Sequence, residues 1–160
     1  MLKYWLALGL MLVAGCDQRE KVAGPETSVK DLILEPTVDI GGGRPSIVIK
    51  TNLPDATSLQ ATLSQGDPGK QTYMAQADTT IFQGSGSFGP FSKNNARLPP
   101  GRYDLVISAP LSEVQPEPAR EALGHDYRNY RSPAIKQRTK PGEMNGAYIE
   151  VKSTVMIPRD

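Results

Sequence analysis

From Ser46 to Ile157 apolar and polar residues alternate with a period of two, which limits the chain to strands that each bury one face. Ile47 and Ile49 alternate with Val48 and Lys50, and Leu59, Ala61 and Leu63 with Ser58, Gln60 and Thr62. Tyr103, Leu105 and Ile107 repeat the pattern against Asp104, Val106 and Ser108. In the longest run Ile149, Val151, Val155 and Ile157 share a face with Ser153, opposite Glu150, Lys152 and Thr154. Weaker strand candidates are Gln71 to Ala75, Thr79 to Gln83 and Ser85 to Ser92. Turn signals punctuate the runs at Leu53-Pro54-Asp55, Asp67-Pro68-Gly69, Asn94-Asn95 and Pro99-Pro100-Gly101. Short strands at this spacing predict a mainly β domain, either a β-sandwich of about seven short strands or a small β-barrel.

Two glycine-bearing segments refine that expectation. Leu98-Pro99-Pro100-Gly101-Arg102-Tyr103, leading into an alternating strand, resembles the turn and tyrosine that open a late strand of immunoglobulin-like domains. The resemblance implies an immunoglobulin-like sandwich, although the disulfide pair of antibody domains is missing and the single tryptophan, Trp5, lies far upstream. Gly84-Ser85-Gly86-Ser87-Phe88-Gly89 matches the glycine spacing of a nucleotide loop, but that chemistry needs a helix immediately afterwards. Pro90 and the Asn94-Asn95 turn offer none, so a small-residue strand is expected there.

The first fifteen residues have the layout of a secretory signal. Met1 to Lys3 is positive, Tyr4 to Val13 is apolar apart from Gly9, and Ala14 and Gly15 are small; the run is shorter than a membrane-spanning helix needs. Val13-Ala14-Gly15-Cys16 resembles the lipobox of bacterial lipoproteins. That resemblance implies cleavage before Cys16, acylation of its thiol, and attachment to the cell membrane with the chain facing the periplasm or exterior. The expected organisation is a signal peptide over residues 1–15, a lipid-anchored N-terminus and flexible tether over 16–44, and the β domain over 45–160. The tether's apolar patch Leu32-Ile33-Leu34 is a candidate for one further short strand.

Charge and residue inventory exclude several chemistries. The chain carries 18 Lys and Arg against 17 Asp and Glu, and removing the signal with Lys3 leaves 17 of each, which is no footprint for nucleic acid. His125 is the only histidine, so neither a histidine-based metal site at His125-Asp126 nor a serine triad is expected, and no serine stands in a nucleophile-elbow motif. Cys16 is the only cysteine. No cofactor is expected. The function that follows is non-enzymatic: a lipid-anchored envelope protein presenting a sandwich domain to an envelope or extracellular component. The alternative is an anchored hydrolase acting on cell-wall or carbohydrate substrate through carboxylates.

One stretch departs from the alternation. Some three dozen residues separate the strand ending near Ser108 from the one starting near Gly146, with a helical turn expected from Pro118 to Leu123; loops of that length are usually functional or disordered. From residue 120 to 140 the basic residues Arg120, Arg128, Arg131, Lys136, Arg138 and Lys140 outnumber Glu121 and Asp126, giving a local charge of +4, with Tyr127 and Tyr130 interleaved. Arginine and tyrosine favour interface cores, so these eight residues mark the candidate interaction loop, with an envelope protein or anionic polymer as partner.

Overall fold

The computed structural model describes residues 28–66, 70–139, 142 and 144–159. The expected signal segment, Cys16 and Lys140 lie outside the described residues. The chain forms strands β1 (Lys30–Asp31), β2 (Leu34–Asp39), β3 (Ser46–Thr51), β4 (Ser58–Gln65), β5 (Tyr73–Thr80), β6 (Ser85–Phe88) and β7 (Gly101–Ala109). There follow α1 (Glu117–Leu123), β8 (Tyr130–Arg131), β9 (Ile135–Arg138) and β10 (Gly146–Ile157). Two antiparallel sheets make the sandwich, with orders β2-β3-β6 and β5-β4-β7-β10-β9, and β1 pairs in parallel with β8 in a separate two-stranded sheet. By order and pairing, β2, β3 and β6 take the places of strands A, B and E of an immunoglobulin-like sandwich, and β5, β4, β7 and β10 those of C′, C, F and G, with β9 added at the edge. The two sheets do not join into a barrel.

Burial follows the sequence pattern. Ile47, Ile49 and Phe88 of the small sheet and Leu59, Leu63, Tyr103, Leu105, Ile107 and Ile149 of the large one are all buried in a single core. Tyr103 is fully buried; its ring meets Tyr73 edge to face at 5.7 Å, and its hydroxyl donates to the Pro99 carbonyl at 2.9 Å. That bond back across the Pro99-Pro100-Gly101 turn is the tyrosine corner of immunoglobulin-like domains. The pattern weakens along β10, where Val151 is half-buried and Ser153 exposed, because β9 pairs only with residues 146–149 and leaves the rest of β10 an edge.

The two weaker candidates on either side of Gln76 form one strand, β5, in full register with β4 from Ser58↔Thr80 to Gln65↔Tyr73. The glycine-rich segment is β6, as its small residues suggest. A Cβ on Gly86 would lie 2.9 Å from Thr79 Cγ2, so glycine lets two strands approach closely.

Ordered structure begins upstream of residue 45. Leu34, Pro36 and Val38 turn inward from β2, which pairs along its length with β3. Pro36 is tolerated because β2 is an edge strand, where a missing N–H leaves no ladder partner wanting. Before it, β1 lies parallel to β8, and the Asn52 side chain accepts from the Ile33 amide at 2.9 Å while donating to the Asp31 carbonyl at 2.7 Å. The N-terminal segment is thus tied to the end of the sandwich where the β3–β4 turn and the β7–β10 connection meet.

Candidate functional site

The long β7–β10 connection folds as a docked insertion. Pro116, Glu117 and Pro118 start α1 with the fixed backbone angles of proline, which suit a first helical turn. Ala119 and Leu123, four residues apart, share the face that packs into the core. Gly124 ends the helix at φ 72°, a conformation glycine adopts without a Cβ clash. Short 3-10 turns at Ser112–Val114 and His125–Tyr127 flank it, and β9 returns to pair with the start of β10.

The insertion is held by buried polar contacts. Gln115, only 2% exposed, accepts from the Ser58 amide at 2.8 Å and donates to the Ser58 carbonyl at 3.1 Å. Its amide nitrogen also reaches the Tyr127 hydroxyl at 3.4 Å, and that hydroxyl donates to the Pro110 carbonyl. Burial pushes the Tyr127 hydroxyl up to about 12, opposed by the Gln115 hydrogen bond and reinforced by the nearby Glu113 charge. Tyr130 is buried as well and donates to the Asn52 carbonyl at 3.0 Å.

These placements divide the eight residues of the candidate interaction loop. Tyr127 and Tyr130 are core residues, which corrects the expectation that they face a partner: their rings fill the seam between insertion and sandwich and their hydroxyls satisfy backbone carbonyls. Arg131 is exposed but forks onto Asp31, with its Nη2 at 3.2 Å, and this guanidinium holds the Asp31 carboxyl below the usual carboxylate range. Arg138 lies over the Tyr148 ring at 5.4 Å. Arg120, Arg128 and Lys136 are exposed, with Arg120 also reaching the Glu113 carbonyl at 3.4 Å. The structure therefore brings Arg138 into one surface with Tyr148 and leaves Arg120 and Arg128 beside the helix end.

That surface is a groove of about 840 Å³ on the outer face of the large sheet, within the size range of ligand pockets. Its floor is the polar row Asp78, Gln60, Ser108 and Glu150 across β5, β4, β7 and β10. It is also lined by Pro110, Leu111, Val114, Arg138 and Met144 of the insertion and by Tyr148 of β10. Val114 and Met144 are exposed apolar side chains. Asp78 and Glu150 stand three strand spacings apart, about 14 Å between backbones. Each is also engaged, Asp78 by Gln60 at 3.0 Å and Glu150 by Lys152 at 3.1 Å.

Outside the groove the two 3-10 turns bring Glu113 against His125 and Asp126. His125 Nδ1 lies 3.3 Å from Glu113 Oε1 and 3.1 Å from Asp126 Oδ2, while the Ala147 amide donates to Asp126 Oδ1 at 2.7 Å. Sequence reasoning reached His125-Asp126 but not Glu113, twelve residues earlier, because only docking of the insertion joins them. No family profile, curated protein or solved structure matches this chain.

Proposed function

We propose that this chain is a lipid-anchored, non-enzymatic protein of the cell envelope, held through Cys16, that offers the insertion end of its sandwich to an anionic envelope component. The observation that carries the anchor is Val13-Ala14-Gly15-Cys16 at the end of a short apolar run. Several acyl chains on that cysteine, at about 0.8 kcal/mol per buried methylene, would anchor the chain durably without a spanning helix. Twelve residue steps separate Cys16 from Ser28, a reach of at most about 40 Å. Because residues 30–33 are tied to the insertion end, that end is the part of the domain bound closest to the anchor along the chain.

The binding surface follows from what the insertion leaves outward. Arg120, Arg128 and Lys136 are exposed, and the neighbouring groove offers apolar walls over a polar floor. A non-enzymatic reading is favoured over the hydrolase because the groove's two carboxylates are widely separated and already engaged, whereas glycoside hydrolysis needs a pair within about 5 to 10 Å across the scissile bond.

Two measurements test the proposal. Cys16→Ser should move the protein from the membrane fraction to the soluble envelope fraction or leave an unprocessed precursor that no longer carries lipid. Replacing Arg120, Arg128 and Lys136 together by serine should abolish the salt-sensitive part of binding to anionic vesicles or wall polymer while the strand spectrum is unchanged. Unchanged lipid labelling in Cys16→Ser would contradict the anchor, and unchanged salt-dependent binding in the triple variant would contradict the surface.

A further inference from the structure

We propose that Glu113, His125 and Asp126 form a divalent-cation site of the zinc class that fastens the insertion to the start of β10. A carboxylate oxygen from each acid and His125 Nδ1 lie within 4.8 Å of one another. Two carboxylates and a neutral imidazole sum to the charge that neutralises one divalent ion. In tetrahedral zinc sites bonds of about 2.0 to 2.2 Å put ligand atoms roughly 3.3 to 3.5 Å apart. The separations from His125 Nδ1, 3.3 Å to Glu113 and 3.1 Å to Asp126, are close to those values.

Glu113 supplies the independent sign of a missing ligand. Its methylenes leave the side chain 39% exposed, yet both carboxylate oxygens are shielded from solvent and receive no hydrogen bond. A shielded carboxylate without hydrogen-bond donors is costly, and His125 Nδ1, 3.3 Å away, gives it an ion-pair contact but no hydrogen bond. A cation between the three groups removes that cost. Gly146 keeps the space open, since a Cβ there would stand 3.1 Å from Asp126 Oδ1 and 3.6 Å from Glu113 Oε2. Asp126 Oδ1 is oriented by the Ala147 amide, an outer contact of the kind that fixes metal ligands, which leaves Oδ2 toward the histidine. His125 is exposed, so water can complete the shell and the ion can enter from solvent.

Because His125 is the only histidine, its imidazole nitrogens give an unambiguous nuclear magnetic resonance signal in the full chain held in detergent micelles. Titration with zinc chloride near neutral pH should shift the Nδ1 resonance to saturation at one equivalent and raise the thermal midpoint. Glu113→Gln gives up no hydrogen bond made by the carboxylate, so it should stay folded while the zinc dissociation constant rises about tenfold or more, the loss typical even of outer-shell changes. His125→Gln, a change at an exposed residue, should eliminate the zinc-dependent rise in midpoint. A His125 resonance unmoved by excess zinc would overturn the proposal. So would an equal affinity in Glu113→Gln, which would mean that histidine binds the ion alone, or a midpoint rise that survives in His125→Gln.

Discussion

The Gln115 side chain pairs with the Ser58 backbone as a neighbouring strand would, accepting from its amide at 2.8 Å and donating to its carbonyl at 3.1 Å. This amide is the polar bolt between the insertion and β4. Gln115→Leu keeps the volume but leaves both Ser58 groups and the Tyr127 hydroxyl short of a partner. At about 1 to 3 kcal/mol for a buried polar group left unsatisfied, we expect a loss of roughly 2 to 4 kcal/mol in urea unfolding. A loss below about 0.5 kcal/mol would show that water replaces the bolt.

Tyr103 separates its two contributions by substitution. Tyr103→Phe removes only the bond to the Pro99 carbonyl and should cost about 1 kcal/mol. Tyr103→Ala also empties the place of a fully buried ring stacked edge to face on Tyr73 and should cost about 3 to 5 kcal/mol. Equal losses in the two variants would assign the whole effect to the hydroxyl.

Strands and insertion differ in how far the local residue pattern fixes burial. Ile47, Leu59, Leu105 and Ile149 announce their burial because a strand in a two-layer sandwich shows its core to one side only, and the period of two is local. β5 is harder to read because Ala75, Ala77 and Thr79 on its inward face are small, so the contrast with Met74, Gln76 and Asp78 is slight. Tyr127 and Tyr130 in a run of arginines and asparagine look like surface residues. Their burial depends on docking, with Tyr127 meeting Gln115 and Pro110 and Tyr130 meeting Asn52, partners that no local periodicity reveals. The same holds for Glu113, which meets His125 only after two separate turns pack together.

Tyr127 predicts an alkaline stability limit. Burial raises its hydroxyl from an ordinary 10 to about 12, so the fold favours the neutral form. The resulting stability is complete below pH 10, where the unfolded chain also holds the proton, and is lost as the pH rises from 10 through 12. Tyr73, Tyr103 and Tyr130 are raised in the same direction by burial and add to the slope. Unfolding free energy should therefore fall across that window, and the fall should be shallower in Tyr127→Phe. An unchanged slope would place the titration elsewhere.

Residues 30–39 are predicted to belong to the folded unit. A chain starting at Ser28 keeps β2 and the β1–β8 pair, whereas one starting at Gly41 loses both, with the inward residues Leu34, Pro36 and Val38. The shorter chain should unfold at a lower urea concentration and expose more β3 amides to hydrogen exchange. Equal midpoints would show that β2 lies on the sheet without stabilising it.

Lipid attachment at Cys16 is tested most directly by the intact mass and N-terminal fragment of the protein purified from its native cells. The expected result is a mature chain whose first residue is Cys16, carrying the mass of diacylglyceryl and acyl groups. A chain that retains Met1 to Gly15, or one cleaved in that region with an unmodified Cys16, would contradict it.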